Sequence, residues 1–267
     1  MKKIQLHAYA KINLTLDVTG RRPNGYHDVE MIMQQISLCD EVTVSWEAGS
    51  VRRGNPDQTV ESDPAGIQIQ LTVSRPDLPA DSSNLAWKAA EEMIAEFGGP
   101  AGGSSKAAAG TEAAGGVLTI DIQKQIPMAA GLAGGSSNCA AVLHAINQLW
   151  ELNLSVKELC RIGARLGSDV PFCIMGQAAA EKALQESFAD DPDACHCALA
   201  TGTGTDLKPL TGLDSFIVLS KPAIGVSTAE VYRGIDNEGI PRHPDNNAVI
   251  SAICENNYKV LEEKMVN

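Results

Sequence analysis

KQIPMAAGLAGGSSNCAAVLHAINQLWELN, residues 124–153, is the stretch on which the reading of this chain turns. An extended lead-in gives way to a loop of small residues, and the loop opens into a strong helix-forming run. Within the loop, GLAGGSSN (131–138) is nearly free of bulk, so a backbone there can approach a ligand closely. A helix that starts in such a loop presents unpaired N–H groups with its dipole behind them, an arrangement that favours phosphate oxygens. Ser136 and Ser137 add hydroxyls within reach of a phosphate or a phosphate-bound Mg²⁺. The loop is not a Walker A sequence, because a serine stands where G-K-[ST] requires lysine. By itself it also fits a glycine run that only lets a helix pack close to a strand.

Outward from that block, residues 4–18 alternate apolar and polar side chains and read as extended, with turn residues following at 19–25. Further extended runs are expected at about 27–37 and 41–47. LAWKAAEEMIAEF after Asp81-Ser82-Ser83-Asn84 reads as a capped amphipathic helix, and Val117–Ile122 as a short strand. Ser155 caps VKELCRIGARLG, a helix that Ser168-Asp169-Val170-Pro171 is expected to end. The segment 98–116 is Gly/Ala/Ser-rich and reads as a flexible insertion, and 181–198 as an acidic loop. FIVLS (216–220) is expected as a buried strand, and 248–265 as one helical tail. Cys195-His196-Cys197 lacks a second ligand pair and reads as part of a solvated loop.

A net charge of −12 argues against nucleic-acid or anionic-membrane partners. No apolar run has bilayer length and the N-terminus does not read as a signal peptide. Seven cysteines at scattered spacings suit reduced thiols, so the expected location is the cytoplasm. Two residues stand out chemically. Lys11 interrupts an apolar strand, which suits either an edge lysine or an ammonium with an anionic partner. Asp169 in SDVPF suits either a turn aspartate or an available carboxylate.

AYAKINLTLDVTGRRPNGYHDVEMIMQQISLCDEV (8–42), IPMAAGLAGGSSNCAAVLHAINQLWELNLS (126–155) and LGSDVPFCIMG (166–176) together resemble the 4-diphosphocytidyl-2-C-methyl-D-erythritol kinases. These form one family of the galactokinase, homoserine kinase, mevalonate kinase and phosphomevalonate kinase (GHMP) superfamily. The resemblance implies an α+β fold of two domains. Residues 1–175 would form an ATP-binding domain like the second domain of a small-subunit ribosomal protein, and 176–267 a ferredoxin-like substrate-side domain, incomplete here. It implies ATP and Mg²⁺ as cofactors, with no protein ligand assigned to the metal. The partner would be the small molecule 4-diphosphocytidyl-2-C-methyl-D-erythritol, and the chain a monomer or homodimer.

Residue by residue, the resemblance makes Asp169 the base for the substrate's 2-hydroxyl and Lys11 its electrostatic partner. Gly131, Leu132, Ala133, Gly134, Gly135, Ser136 and Ser137 would wrap the ATP phosphates, with Asn84, Lys124 and Pro127 on the nucleotide side. Asn13, Tyr26, His27, Thr228 and Tyr232 match substrate contacts, the two tyrosines as an aromatic pair around cytosine. The chain departs from the family pattern in ALATGTGTDLKPL (198–210), where threonines replace an arginine and a glutamate, and in ending before a third motif of the GSGPT type. Two other readings stay open: a GHMP kinase for another alcohol, such as homoserine or mevalonate, and a ligand-binding remnant without catalysis.

Overall fold

The computed structural model describes residues 1–23, 25–49, 66–100, 115–221, 225 and 228–267. Among them the chain is α+β. Two long strands, β1 (Lys2–Arg21) and β2 (His27–Ala48), pair antiparallel along nearly their whole length. The connection between them is tight: Gly25 takes φ 87°, Arg22 N–H donates to Tyr26 O, and Gly25 N–H donates to Arg22 O. Positive φ is where glycine has no Cβ penalty. The expected Asn24 lies outside the described residues.

β1 follows one edge of β2 throughout, and two further strands share the other edge. β4 (Gly116–Gln123) pairs with the second half of β2, in register Glu41 with Gln123, and carries β3 (Ile67–Val73) parallel beyond it. β5 (Cys197–Thr201) pairs with Met31–Gln34 of β2 and carries β6 (Asp206–Leu210). Residues 35–40 of β2 therefore lie between two strand partners, and the site described below is built on this interval.

Four helices, α1 (Leu85–Phe97), α2 (Gly134–Leu149), α3 (Val156–Leu166) and α4 (Val170–Ala180), cover one face of the sheet. They bury Leu6, Ala8, Val42, Val44, Leu118, Ile120 and Ile122 against Met93, Leu143, Ile146, Leu159 and Ile174. α1 is started by Asn84, whose side chain accepts from Ala86 N–H, and stopped by left-handed Gly98. α3 opens on a full capping box between Ser155 and Glu158. A second cluster joins Leu14 and Ile32 to Val249, Ile253 and Leu261 of α7 (Asn246–Cys254) and α8 (Tyr258–Lys264). A third joins Val18, Val29 and Met33 to Phe172, with Tyr232 and Ile235 of α6 (Thr228–Glu238) packed on it.

Several expectations are corrected. The runs at 27–37 and 41–47 are one strand, because the chain between them bulges against β1 without leaving it. Pro171 does not merely end a helix: it occupies the first turn of α4, where its missing N–H would have had no partner. The stretch 181–198 is not all loop. A 3₁₀ turn (Lys182–Leu184) and the short α5 (Gln185–Phe188) bury Leu184 and Phe188 four residues apart, and Cys197 is fully buried at the start of β5. FIVLS forms no strand among the described residues: Phe216 and Val218 are fully or almost fully exposed, since no described strand offers that segment a backbone partner. The tail is two helices, divided where Asn256 turns left-handed and Asn257 caps α8. Of the Gly/Ala/Ser-rich insertion, 101–114 lies outside the described residues. No helix among the described residues is long and apolar enough to cross a membrane.

Candidate active site

The first strand delivers Lys11. Leu6, Ala8 and Ala10 alternate into the core, but a register shift between Tyr9 and Lys11 disturbs that rhythm. Lys11 is buried on the other face, its side chain only 6% exposed. An ammonium so placed needs acceptors. It donates to Asn13 Oδ1 at 3.0 Å, and Asp169 Oδ1 lies 3.5 Å from Nζ.

Asp169 reaches that position from the start of α4. It occupies the N-cap place, yet its side chain makes no capping bond, so the carboxylate is left to face Lys11 and the solvent-open side. Cys173, one turn further on, feels both charges: burial pushes its thiol up most, Asp169 adds to this and Lys11 opposes it.

The loop before α2 meets the same point. Lys11 N–H donates to Leu132 O at 3.2 Å, tying the middle of the loop to β1. Ala129 (φ 49°), Gly131 (φ 70°) and Ala133 (φ 54°) are all left-handed. Alternation of left-handed residues with their neighbours turns successive N–H groups toward one concavity, the anion-binding arrangement of a backbone nest. α2 has no side-chain cap, and a Cβ added to Gly131 would meet nothing within 4 Å. The donors at the head of α2 and the open space over Gly131 fit a polyphosphate. Leu85, the first residue of α1, sits 3.7 Å from the Cβ position of Gly135, which brings Asn84 to the flank of the loop.

The remaining sequence-predicted residues divide between this point and its surroundings. Pro127 is exposed and Ser136 half-buried on the loop. Ser137 is fully buried, and its hydroxyl donates to Tyr9 O at 2.6 Å, so it fastens α2 to β1. Asn84 spends its amide on Pro79 O and its oxygen on the α1 cap. The Lys124 ammonium points inward to Asp40 and Asn138, a pairing the sequence did not suggest.

On the other side, Tyr26 is exposed at the hairpin end, while Tyr232 stacks on His27 with ring centroids 4.7 Å apart and planes 18° from parallel. His27 Nε2 is 2.7 Å from Asp236 Oδ1, and Arg21 approaches the same carboxylate at 3.4 Å. Burial and, after it, the charge of Asp169 push the Tyr232 phenol up. Thr228 opens α6, but its side chain lies outside the described residues. An open groove of about 530 Å³ borders the region and shares Asn13 with it, but reaches neither Lys11 nor Asp169. Among the described residues no cluster of three or more His, Cys, Asp or Glu could hold a metal ion.

Asp40, Asn138 and Asp236 were missed in the sequence. Only Asp40 carried a signal, a carboxylate following the uncharged run Met31–Cys39.

Comparison with known proteins bears on this geometry. Residues 84–177 match the family described as GHMP kinases N terminal domain. The chain is 40% identical to the 4-diphosphocytidyl-2-C-methyl-D-erythritol kinase of Alkaliphilus metalliredigens (strain QYMF), across 100% of its own length and 75% of the relative's. It is 37% identical to the enzyme of that name from Bacillus subtilis (strain 168), across 97% and 72%. The crystal structure of a 4-(cytidine 5'-diphospho)-2C-methyl-D-erythritol kinase superposes with a TM-score of 0.62 at 26% identity, covering 98% of this chain and 76% of that one. A mevalonate kinase from L. major, at 14% identity and a TM-score of 0.53 over 98% of this chain and 72% of that one, shares the fold.

Proposed function

The chain belongs to the 4-diphosphocytidyl-2-C-methyl-D-erythritol kinases of the GHMP family, and from that premise we propose that it phosphorylates the 2-hydroxyl of this cytidyl sugar alcohol at the expense of ATP, in the non-mevalonate route to isoprenoid precursors. The observation that carries the reading is the meeting of Lys11, Asp169 and the 131–137 loop around one point. Phosphoryl transfer depends chiefly on positioning and on charge stabilisation, and these three supply both.

ATP, as the co-substrate, brings the γ-phosphoryl group, and a Mg²⁺ ion, for which no protein ligand is assigned, would supply charge neutralisation there. The chain's own residues do the rest. The left-handed loop and the head of α2 hold the phosphates with backbone N–H groups. Asp169 takes the proton of the acceptor hydroxyl, since its carboxylate is uncommitted to any cap. Lys11, held by Asn13, lies beside Asp169 and offsets negative charge as transfer proceeds. Tyr232 and His27 supply the flat surface against which a pyrimidine stacks, and the resemblance to the family adds Tyr26, Asn13 and Thr228 as substrate contacts. In this reading residues 1–175 form an ATP-binding and catalytic domain that also carries Asn13, Tyr26 and His27, and 176–267 a substrate-side domain that carries Tyr232.

A coupled ADP-release assay offering ATP with 4-diphosphocytidyl-2-C-methyl-D-erythritol, homoserine and mevalonate in parallel tests the proposal. Turnover confined to the cytidyl alcohol is the expected result. Turnover with homoserine or mevalonate instead, or binding of both nucleotides without transfer, would overturn it.

A further inference from the structure

Asp40 is fully buried, and both of its oxygens are engaged by groups that flank the phosphate loop. β4 pairs with β2 as far as Gln123 opposite Glu41, so the next β2 residue, Asp40, stands where the ladder would continue. There the chain leaves the sheet. The backbone N–H groups of Gln125 and Ile126 instead donate to Asp40 Oδ1, at 2.6 and 2.8 Å. The other oxygen, Oδ2, accepts from Asn138 Nδ2 at 2.8 Å and from the Lys124 ammonium, which also donates to Asn138 Oδ1 at 3.0 Å.

Asn138 lies in the second turn of α2, and Ile126 immediately precedes the bend. One carboxylate thus clasps the residues leading into the loop and the helix leading out of it. Between those points, among the described residues, Lys11 N–H to Leu132 O and the Ser137 hydroxyl to Tyr9 O tie the segment to β1. Where a loop of small residues has so few fastenings, the positions of its ends set its curvature. A bare counter-ion for Lys124 would need one oxygen facing Lys124. Here one oxygen is given wholly to two backbone amides, which an apolar core substitute could not satisfy.

We infer that Asp40 is a positioning residue that holds both ends of the phosphate loop and so sets the affinity for ATP without touching the nucleotide. This rests on the nucleotide-binding reading of the loop given above. It assigns the effect to geometry, and geometry and charge balance can be separated by experiment.

The test compares the full-length chain with Asp40→Ala, Lys124→Met and the double variant. Melting temperature, KM for ATP, KM for the cytidyl alcohol, kcat and equilibrium binding of an ATP analogue are measured for each. Asp40→Ala is expected to raise KM for ATP and the analogue Kd by roughly 10- to 100-fold, the scale at which a displacement of about 1 Å acts. KM for the acceptor should stay within about twofold, since nothing on the acceptor side contacts Asp40. Adding Lys124→Met removes the unpaired ammonium, so the double variant should regain melting temperature yet keep a raised KM for ATP above that of Lys124→Met alone.

Loss of kcat in proportion to folded fraction, with KM for ATP and Kd unchanged, would overturn the inference. So would return of both melting temperature and KM in the double variant to the values of Lys124→Met, because charge balance alone would then explain Asp40. If Asp40→Ala does not fold, Asp40→Asn serves: it keeps an oxygen for the two amides but turns an NH₂ toward Lys124 and Asn138. Its expected KM shift for ATP is smaller, about three- to tenfold, and an unshifted KM counts against the inference. A wild-type chain that binds the analogue but ignores the cytidyl alcohol would sink the acceptor assignment alone, leaving Asp40 to be decided by the Kd series.

Discussion

Asp169→Asn isolates one carboxylate with little disturbance to the fold. The two side chains have nearly the same shape, and Asp169 caps nothing in α4, so no capping bond is lost. What changes is charge. Lys11 Nζ, 3.5 Å away and nearly buried, loses its anionic neighbour but retains Asn13 Oδ1 at 3.0 Å. At an effective dielectric constant of about 20, two charges at that distance attract by roughly 5 kcal/mol. Asp169 keeps about a third of its side-chain surface in water, so the net stability loss should be nearer 1 kcal/mol. The chemical loss is larger. Removing a positioned general base takes about 10²- to 10⁴-fold from the rate, equivalent to roughly 3–5 kcal/mol of barrier. ATP binding should be unchanged or slightly tighter, because a negative charge near the phosphates has been removed. Single-turnover phosphoryl transfer by rapid quench, with equilibrium binding of ATP measured separately, checks both halves. Turnover within tenfold of wild type by a chain that binds ATP normally would refute the assignment of Asp169 as base. Lys11→Met supplies a cross-check: as half of a pair, its rate loss should combine with that of Asp169→Asn far less than additively.

Tyr232→Ala removes the ring stacked on His27; it should weaken acceptor binding by about 1–3 kcal/mol, typical of a stacked base, with KM for ATP unmoved. An unchanged acceptor KM would detach Tyr232 from the substrate. His144 is buried with its pKa lowered from the ordinary 6.5 to about 4 by desolvation, and its Nε2 lies 3.0 Å from Ile174 O. Between those values the unfolded chain binds the extra proton. The stability that His144 contributes is therefore complete above 6.5 and is lost as pH falls toward 4, by up to about 3 kcal/mol. Denaturation across pH 4–7 should show a shallower pH slope for His144→Phe than for wild type, and parallel slopes would contradict it. A Cβ on Gly163 would lie 2.7 Å from Ile174 Cδ1 and 2.8 Å from Val170 Cγ1. Gly163→Ala should therefore destabilise the α3–α4 contact by about 1–3 kcal/mol, and a melting temperature at or above wild type would show that the contact yields freely.

What could be read in the sequence was what local pattern controls. The alternation of β1, the Ser155 cap and the loop-to-helix change at 131–138 each depend on neighbours in the chain, and each stands where expected. α4 was missed because VPFCIMGQAAA is apolar on every side, which erases the period that marks a surface helix. FIVLS misled in the opposite direction. Its composition suits a strand, but a strand needs a neighbour's backbone, and composition cannot supply one. The Lys11–Asp169 meeting was expected from the resemblance, whereas the inward turn of Lys124 onto Asp40 was not, since 84 residues separate the two.

The β1–β2 pair acts as a ruler for the whole site, because it carries Lys11, Asn13, His27 and Asp40 on two adjacent strands. The ruler is not uniform. Tyr9 pairs with Cys39 but Lys11 pairs with Gln35, so β2 spends two more residues than β1 over this interval. Such a bulge bends its strand and re-aims the side chains beside it. In a regular ladder Lys11 would face residue 37 with Asp40 still opposite Ala8, so what the bulge displaces by about 7 Å, two strand residues, is the part of β2 opposite Lys11. The irregularity that blurs the alternation at Ala10–Lys11 is thus the place where β1 breaks its core rhythm and buries an ammonium beside Asp169.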